Sequence, residues 1–156
     1  MTLEALKKEY EKFAKKYNLP SFRDLNLDFE IDKFDKETDF LLRAIRKLMM
    51  EKIVNSMTFL EMLVNPINAP RMYLPYIRSM SVEDKKMIDD AYSNLADLSI
   101  LSLDLEIDSN EKTETDLIRK IYDKWKELKP GFIKILQNMK HPKNLNNNRK
   151  ERSYFG

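Results

Sequence analysis

The sequence predicts a mainly α-helical protein with about five helices and two short extended segments. The chain of 156 residues holds only two glycines, so it has little room for tight hairpins or for a glycine-rich phosphate loop. Its longest apolar-periodic stretches follow the spacing of amphipathic helices. Two other stretches, residues 25–32 and 101–108, alternate strictly between apolar and polar residues, which is the period of a half-buried strand.

The two alternating segments resemble each other in their surroundings as well as in their residues. Each follows a charged amphipathic segment, and each is followed by Glu-Thr-Asp and a long apolar-periodic run. This order predicts an internal duplication of helix, strand and helix, with halves 1–64 and 81–140 related by a pseudo-two-fold axis. A chance likeness between two acidic stretches is the alternative. If each strand buries one face, replacing Leu103 with Asp is expected to lower the melting temperature strongly.

The first half is predicted to hold two helices. Thr2 caps the first, which ends before Pro20, and Ser21 with Asp24 caps a single turn ahead of the first alternating segment. Residues 38–64 form a helix that is apolar on nearly every side and is therefore expected at the centre of the fold. The first helix carries one apolar stripe, formed by Leu3, Leu6, Tyr10, Phe13 and Tyr17.

A connector follows at residues 65–80, where three prolines interrupt the helical pattern. Pro70 suits the first position of a helix, so a short helix is predicted directly after it. Tyrosine and arginine are enriched at protein-binding hot spots, which makes Arg71, Tyr73 and Tyr76 candidates for a partner contact. The alternative is that these residues pack the connector onto the core.

The second half is predicted to hold two longer helices. Ser81 begins the first of them in a capping-box pattern, and Thr113 or Asp116 begins the second. The second helix carries apolar residues at heptad spacing, which predicts one continuous seam. Pro130 and Gly131 interrupt this seam and predict a kink or a break nearby. The buried stripe of the first helix is Ile88, Ala91, Leu95 and Leu98, and the seam of the second is Ile118, Ile121, Trp125, Leu128, Phe132, Ile135 and Met139.

The charge distribution separates a neutral body from a basic tail. Residues 1–140 carry 24 Lys and Arg against 25 Asp and Glu, whereas residues 141–156 carry four against one. The body is predicted to be a single helical domain, and the Asn-rich tail is predicted to be flexible. The tail is expected to dock on a protein, or on nucleic acid, through Arg149, Lys150, Arg152, Tyr154 and Phe155.

The two acidic segments are the strongest candidates for catalytic chemistry. If the two strands pair, their like charges crowd together and repel. Mg²⁺ or Mn²⁺ would relieve that repulsion and could support phosphoryl transfer. The alternative is that these carboxylates are the wet face of two strands that pack on helices. The candidate metal ligands are Asp28, Glu30, Asp32, Asp104, Glu106 and Asp108.

The composition argues against most enzyme classes. The chain has no cysteine, which excludes a disulfide, a thiolate nucleophile and a sulfur-ligated zinc site. It shows no Walker loop, no Gly-x-Ser-x-Gly motif and no helical Glu-x-x-His pair. No apolar run reaches membrane-spanning length and no signal segment is evident, so a soluble cytoplasmic protein is expected.

The sequence therefore predicts a non-catalytic adaptor or assembly subunit with a rigid helical body and a C-terminal docking tail. We expect a protein partner, a setting in nucleic-acid-processing machinery, and no cofactor. A metal-dependent phosphoryl-transfer enzyme that uses Mg²⁺ or Mn²⁺ is the alternative, and a nucleic-acid-binding factor is the second alternative. The oligomeric state, including a homo-oligomer, is left open.

Overall fold

Six α-helices and no strand form in the part of the chain that the computed structural model describes, residues 2–33 and 40–141. The mainly α-helical fold class is therefore confirmed. The helices are α1 (Leu3–Tyr17), α2 (Phe22–Phe29), α3 (Leu41–Val64), α4 (Leu74–Ser79), α5 (Val82–Ile107) and α6 (Glu111–Lys140), and short 3-10 turns lie at Ile31–Lys33, Pro66–Asn68 and Arg71–Tyr73.

The three longest helices, α3, α5 and α6, pack on one another and form the centre of the fold. The central position expected for the helix in residues 38–64 is confirmed, although α3 begins only at Leu41. α1 packs on α2 and α6, and α2 also packs on α3. The seam of α6 faces inward as predicted, with Ile118, Ile121, Trp125, Phe132 and Ile135 buried and with Leu128 and Met139 packed at the edge of the core.

Side-chain caps start four of the helices. The side chains of Thr2, Ser21 and Ser81 each accept a hydrogen bond from the backbone N–H three residues later, in agreement with the sequence prediction. α6 starts earlier than predicted, because Asn110 and Thr113 form a reciprocal capping box. The Asn110 side chain accepts from the Thr113 N–H at 3.0 Å, and the Thr113 hydroxyl accepts from the Asn110 N–H at 2.9 Å.

The first alternating segment is helical, so the prediction of an extended segment there is wrong. Its residues up to Phe29 belong to α2, and Glu30, with a φ of 51°, caps the end of that helix. Helical spacing decides burial in this segment: Leu25 and Phe29 are buried, whereas Leu27 is 80% exposed. The cap formed by Ser21 starts the helix, and no Gly or Pro follows to stop it.

The second alternating segment is the C-terminal end of α5, so this prediction of an extended segment is also wrong. Ser102 and Leu105 are buried in line with Leu98, because the three are spaced by three or four residues. A second stripe with the same spacing lies on the opposite side of the helix. Apolar residues of the two stripes follow one another along the sequence, and this order produces the alternation that resembles a strand. The outer stripe is Ile100, Leu103 and Ile107.

The internal duplication and its pseudo-two-fold symmetry are not confirmed, because neither repeated segment is a strand. Two separate helices, α1 and α2, precede α3, whereas the single continuous helix α5 precedes α6. The exposure of Leu103 also reverses an expectation from the sequence. Since this side chain lies outside the core, we now expect Leu103→Asp to change the melting temperature little.

α6 continues without a break through Pro130 and Gly131. The predicted break therefore does not occur. The apolar seam keeps its phase across this pair, with Trp125 buried before it and Phe132 and Ile135 buried after it. Burial on both sides outweighs the poor helix propensity of the two residues.

Two buried tyrosines differ in whether their hydroxyl groups are bonded. The Tyr10 hydroxyl donates to the Pro20 carbonyl at 2.7 Å, whereas the buried Tyr76 hydroxyl has no partner among the described residues. Burial, with a smaller contribution from Asp84, raises the pKa of Tyr76 to about 12.

We expect Tyr76→Phe to raise the free energy of unfolding by about 1 kcal/mol, because it removes a buried unpaired polar group. Tyr10→Phe is the matched control and should lower this free energy by about 1 kcal/mol, because it deletes a made hydrogen bond. Urea titrations of the two variants measure both changes. A loss of stability in Tyr76→Phe would show that its hydroxyl is bonded in solution.

Candidate interaction surface

Two carboxylates of the first acidic segment, Asp28 and Glu30, pair with lysines. The Asp28 side chain is buried and accepts from Lys129 on α6 at 2.5 Å. Glu30 pairs with Lys33 at 2.7 Å on the surface, and the Asp32 backbone N–H donates to the side chain of Asn26. This segment therefore fixes the end of α2 onto its neighbours.

The second acidic segment has a different environment. Glu106 pairs with Arg46 at 2.8 Å and with Lys47 at 3.1 Å, both on α3. Asp104 is exposed, and the exposed Asp108 ends α5. The paired strands that would have gathered the two segments are absent from residues 2–33 and 40–141. In those ranges no group of three or more His, Cys, Asp or Glu residues is placed to hold a metal ion.

A buried ion-pair network joins the three central helices. Arg46 of α3 is fully buried, and its Nε donates to Glu114 of α6, itself 4% exposed, at 2.6 Å. Its Nη1 donates to the Ser102 hydroxyl of α5 at 2.6 Å, and its Nη2 donates to Glu106 at 2.8 Å. Burial alone would lower the pKa of Arg46, but the bonds to Glu114 and Glu106 outweigh it and raise the pKa. The guanidinium group is therefore charged and paired in the core.

This network was missed in the sequence analysis, because Arg46 was not singled out there as a core residue. A helical signal was present. Arg46 lies in one stripe with Leu42 and Met49, at a spacing of four and then three residues. A charged residue inside an apolar stripe requires a buried counterion. The sequence alone does not show which carboxylate supplies it.

Glu106 gives this network a pH dependence. The bond from Arg46 lowers the pKa of Glu106 below its ordinary 4.5, and Lys47 lowers it further. A carboxyl group with a lowered pKa stabilises the fold above pH 4.5, and this contribution is lost as the pH falls through the lowered value.

We therefore expect Glu106→Gln to reduce the melting temperature at neutral pH, and the difference from wild type to vanish in acid. The neutral effect should correspond to less than about 1 kcal/mol, because the side chain is partly exposed and solvent screens the pair. Thermal melts at steps from neutral pH into the acid range measure it. A difference that persists at the lowest pH would assign the effect to packing.

The outer side of α5 exposes three large apolar residues in a row. Ile100, Leu103 and Ile107 are 64%, 66% and 87% exposed. Their spacing of three and then four residues places them on one face, here called the α5 stripe. Soluble proteins expose single apolar side chains routinely, but a contiguous row indicates a contact surface.

An acidic edge borders the α5 stripe. Asp90, Asp97 and Asp104 follow one another at intervals of seven residues, and all three are exposed. This spacing places them in one row of α5, in the positions that flank a coiled-coil seam, with Asp97 and Asp104 beside the stripe and Asp90 ten residues before Ile100. No Lys or Arg occurs in residues 87–110. The charged side chains that α5 itself contributes around the stripe are therefore all acidic.

The other predicted partner-binding residues fall into two groups. In the connector, Arg71 is exposed, Tyr73 is half-buried with its ring 6.1 Å from that of Phe59, and Tyr76 is buried. The two tyrosines therefore pack this connector on the core. The tail residues Arg149, Lys150, Arg152, Tyr154 and Phe155 lie outside the described residues, so their role stays a prediction.

No family model, curated protein or solved structure matches this chain, so its function has to be argued from its own residues. Among the helices of the described residues, none combines the length and the apolar character needed to cross a membrane.

Proposed function

We propose that this chain is a non-catalytic interaction subunit whose α5 stripe docks a basic amphipathic helix of a partner protein. The exposed row Ile100, Leu103 and Ile107 carries the proposal. Full burial of one such side chain is worth about 1.5–3 kcal/mol. Three of them can support a moderate affinity after the costs of association are subtracted. An apolar row on a long helix suits a partner helix laid along it.

The charge beside the α5 stripe determines which kind of partner helix it can bind. Asp90, Asp97 and Asp104 would face the flanking residues of a docked helix, and lysines or arginines there would complement them. A second copy of α5 would bring a second acidic edge to the contact. Since like charges across an interface oppose association, the stripe favours a basic partner over self-pairing.

The buried network supports this function by holding α5 in place. Ser102 and Glu106 lie on the α5 segment that carries the stripe, and both accept bonds from Arg46. Lys47 adds a second bond from α3 to Glu106. A helix fixed in this way has little freedom left to lose on binding, which lowers the entropic cost of association.

A synthetic helical peptide tests the proposal. We suggest a fluorescein-labelled peptide with Leu at the seam positions and Lys at the flanking positions, and fluorescence anisotropy to measure its dissociation constant. Leu103→Asp should weaken binding at least about tenfold. Leu27→Asp is the matched control, since Leu27 is also a highly exposed leucine but lies on α2. Binding should also weaken as salt is raised.

Three results would overturn the proposal. The first is an equal loss of affinity in Leu103→Asp and Leu27→Asp, and the second is equal binding of a peptide with Glu in place of Lys. The third comes from sedimentation of the chain alone. If wild type is a dimer and Leu103→Asp is a monomer, a second copy occupies the stripe.

The tail remains part of the proposed function as a second contact. The motivation is its basic and aromatic sequence, and a nucleic-acid-processing setting stays a prediction on the same basis. Removing residues 144–156 should leave the melting temperature unchanged and weaken capture of the native partner. Unchanged capture by the shortened chain would exclude the tail as a docking element.

A further inference from the structure

A groove of about 740 Å³ lies between α2, α3 and the second half of α6, away from the α5 stripe. A row of aromatic rings forms one wall. The rings of Phe29 and Trp125 are 6.1 Å apart, and those of Trp125 and Phe132 are 5.6 Å apart. Ile133 and Leu136 continue this wall to the rim and are about half exposed. The groove is therefore large enough for a ring system, and each of its three rings contributes only an edge, since none is more than 9% exposed.

Lys52 of α3 places in this groove a cation that forms no ion pair with any carboxylate of residues 2–33 and 40–141. Its ammonium group lies 5.0 Å from the Trp125 ring centre and 5.7 Å from that of Phe29, and it donates to the Asp28 carbonyl. Within the described residues no carboxylate pairs with it, whereas the two other lysines of the groove, Lys33 and Lys129, are each paired. Lys52 is half-buried, so its charge is partly removed from water and only partly compensated by the rings.

A second donor in the same wall lacks a partner. The indole Nε1 of Trp125 is buried, and no acceptor lies within reach among residues 2–33 and 40–141. Buried N–H groups are nearly always bonded, so this unpaired one is an unusual feature of the ring wall. Asn55 and Ser56 also line the groove from α3. The groove thus has rings on one wall and mixed charges on the other, where the lysines Lys33, Lys52 and Lys129 lie with the carboxylates Asp28, Glu30 and Glu51.

We propose that this groove binds a small organic anion that carries an aromatic ring. The ring lies against Phe29, Phe132 and the Ile133 rim, and the acidic group supplies the missing counterion of Lys52. A charge-assisted bond from Lys52 to a carboxylate, sulfonate or phosphate is stronger than one between neutral groups. The proposal is independent of the α5 stripe, which lies on another face.

The fluorescent dye 8-anilinonaphthalene-1-sulfonate is a suitable probe, because it combines an aromatic system with one anionic group. Trp125 is the only tryptophan in the chain, so energy transfer from tryptophan to the dye reports binding beside it. We expect saturable binding of about one dye per chain. N-phenyl-1-naphthylamine, which lacks the sulfonate, should bind more weakly, and sodium sulfate at constant ionic strength should not displace the dye.

Substitutions at Lys52 and at two other positions test whether the charge of Lys52 determines the affinity for the dye. Lys52→Gln should weaken binding of the sulfonate dye about tenfold and leave the neutral dye unaffected, whereas Lys52→Arg should retain binding. Lys86→Gln is the control at an exposed lysine of α5. Ile133→Glu is a second test, since it removes an apolar contact from both dyes and also adds a negative charge at the exposed rim, so it should weaken the sulfonate dye more than the neutral dye.

Circular dichroism and the melting temperature of each variant show that it is folded, because a loosened core would bind more dye, not less. Equal dye affinity in wild type and Lys52→Gln would overturn the proposal. So would equal affinity of wild type for the two dyes, which would make the groove a purely apolar site. If Lys52→Gln does not fold, the role of charge is still tested by the dye affinities of Ile133→Glu and Lys52→Arg and by the difference in affinity between the two dyes.

Discussion

Replacing Glu114 with Ala is expected to lower the free energy of unfolding by about 3–5 kcal/mol. The substitution leaves the fully buried Arg46 with only Glu106, a partly exposed carboxylate, as its charged partner. The guanidinium cannot escape the cost by losing its proton, since its pKa lies far above neutrality. It must therefore stay charged in the core, unless the ends of α5 and α6 separate and expose it.

Urea unfolding of three further variants tests whether the loss of stability comes from the buried charge of Arg46. Glu111→Gln is the matched control, because its ion pair with Lys16 lies at the surface, with the two side chains 40% and 63% exposed, and it should change stability little. The double variant Arg46→Met with Glu114→Leu should recover much of the loss, since it removes both charges together. If Glu114→Ala does not fold, Glu114→Gln keeps the size of the side chain and should show a smaller loss. A loss in Glu114→Ala no larger than in Glu111→Gln would show that the ion pair is not buried in solution.

The network is a costly way to join helices, and its position suggests why it is tolerated. An apolar core of similar volume would be equally stable or more stable. However, Arg46 bonds to Ser102, Glu106 and Glu114 at fixed geometry, which sets the rotation of α5 about its axis. An apolar contact would allow α5 to rotate about its axis. Because the α5 stripe lies opposite Ser102, this rotation decides whether Leu103 faces solvent or the core.

The sequence was sufficient where burial alone determines structure. The seam of α6, the inner stripe of α5 and the centrality of α3 each follow from apolar residues at helical spacing. The caps at Thr2, Ser21 and Ser81 follow from the local preference of hydroxyl side chains for a helix start. These signals are local, so no knowledge of the tertiary contacts was required.

The sequence was misleading where one helix serves two surfaces. In α5, Leu105 faces the core while Leu103 faces solvent, and the two stripes together imitate the period of a strand. The partners of Arg46 were not predictable either, because Ser102 and Glu114 are brought to it by tertiary packing. The α5 stripe was likewise hidden, since the strand predicted for residues 101–108 would bury Leu103 and Ile107.

The pair Pro130 and Gly131 offers the second large effect, this time a gain. Replacing both with Ala is expected to raise the free energy of unfolding by about 2–3 kcal/mol. Proline inside a helix costs about 3 kcal/mol relative to Ala, and about 1 kcal/mol of this is returned by the greater freedom of the unfolded chain. Glycine costs about 1 kcal/mol at such a position. Pro130 is exposed, so its removal gives up little packing.

The Gly131 site has room for a methyl group if one side chain adjusts. A Cβ atom there would lie 3.2 Å from the sulfur of Met87 on α5. This contact is close, but the thioether is flexible and can move by the few tenths of an ångström required. The alanine variant should therefore keep most of its gain in helix propensity.

Thermal and urea unfolding of Pro130→Ala, Gly131→Ala and the double variant measure the gain. For a chain of this size, 2–3 kcal/mol corresponds to a rise in melting temperature of about 4–12 °C. Gln137→Ala, at an exposed position of the same helix, is the control and should change stability by only a few tenths of a kcal/mol. A neutral or destabilised double variant would contradict the expectation. It would mean that Pro130 and Gly131 fit a bend of α6 on which the packing of Phe132 and Ile135 depends, and the groove beside Phe132 would then lose its dye affinity in the same variant.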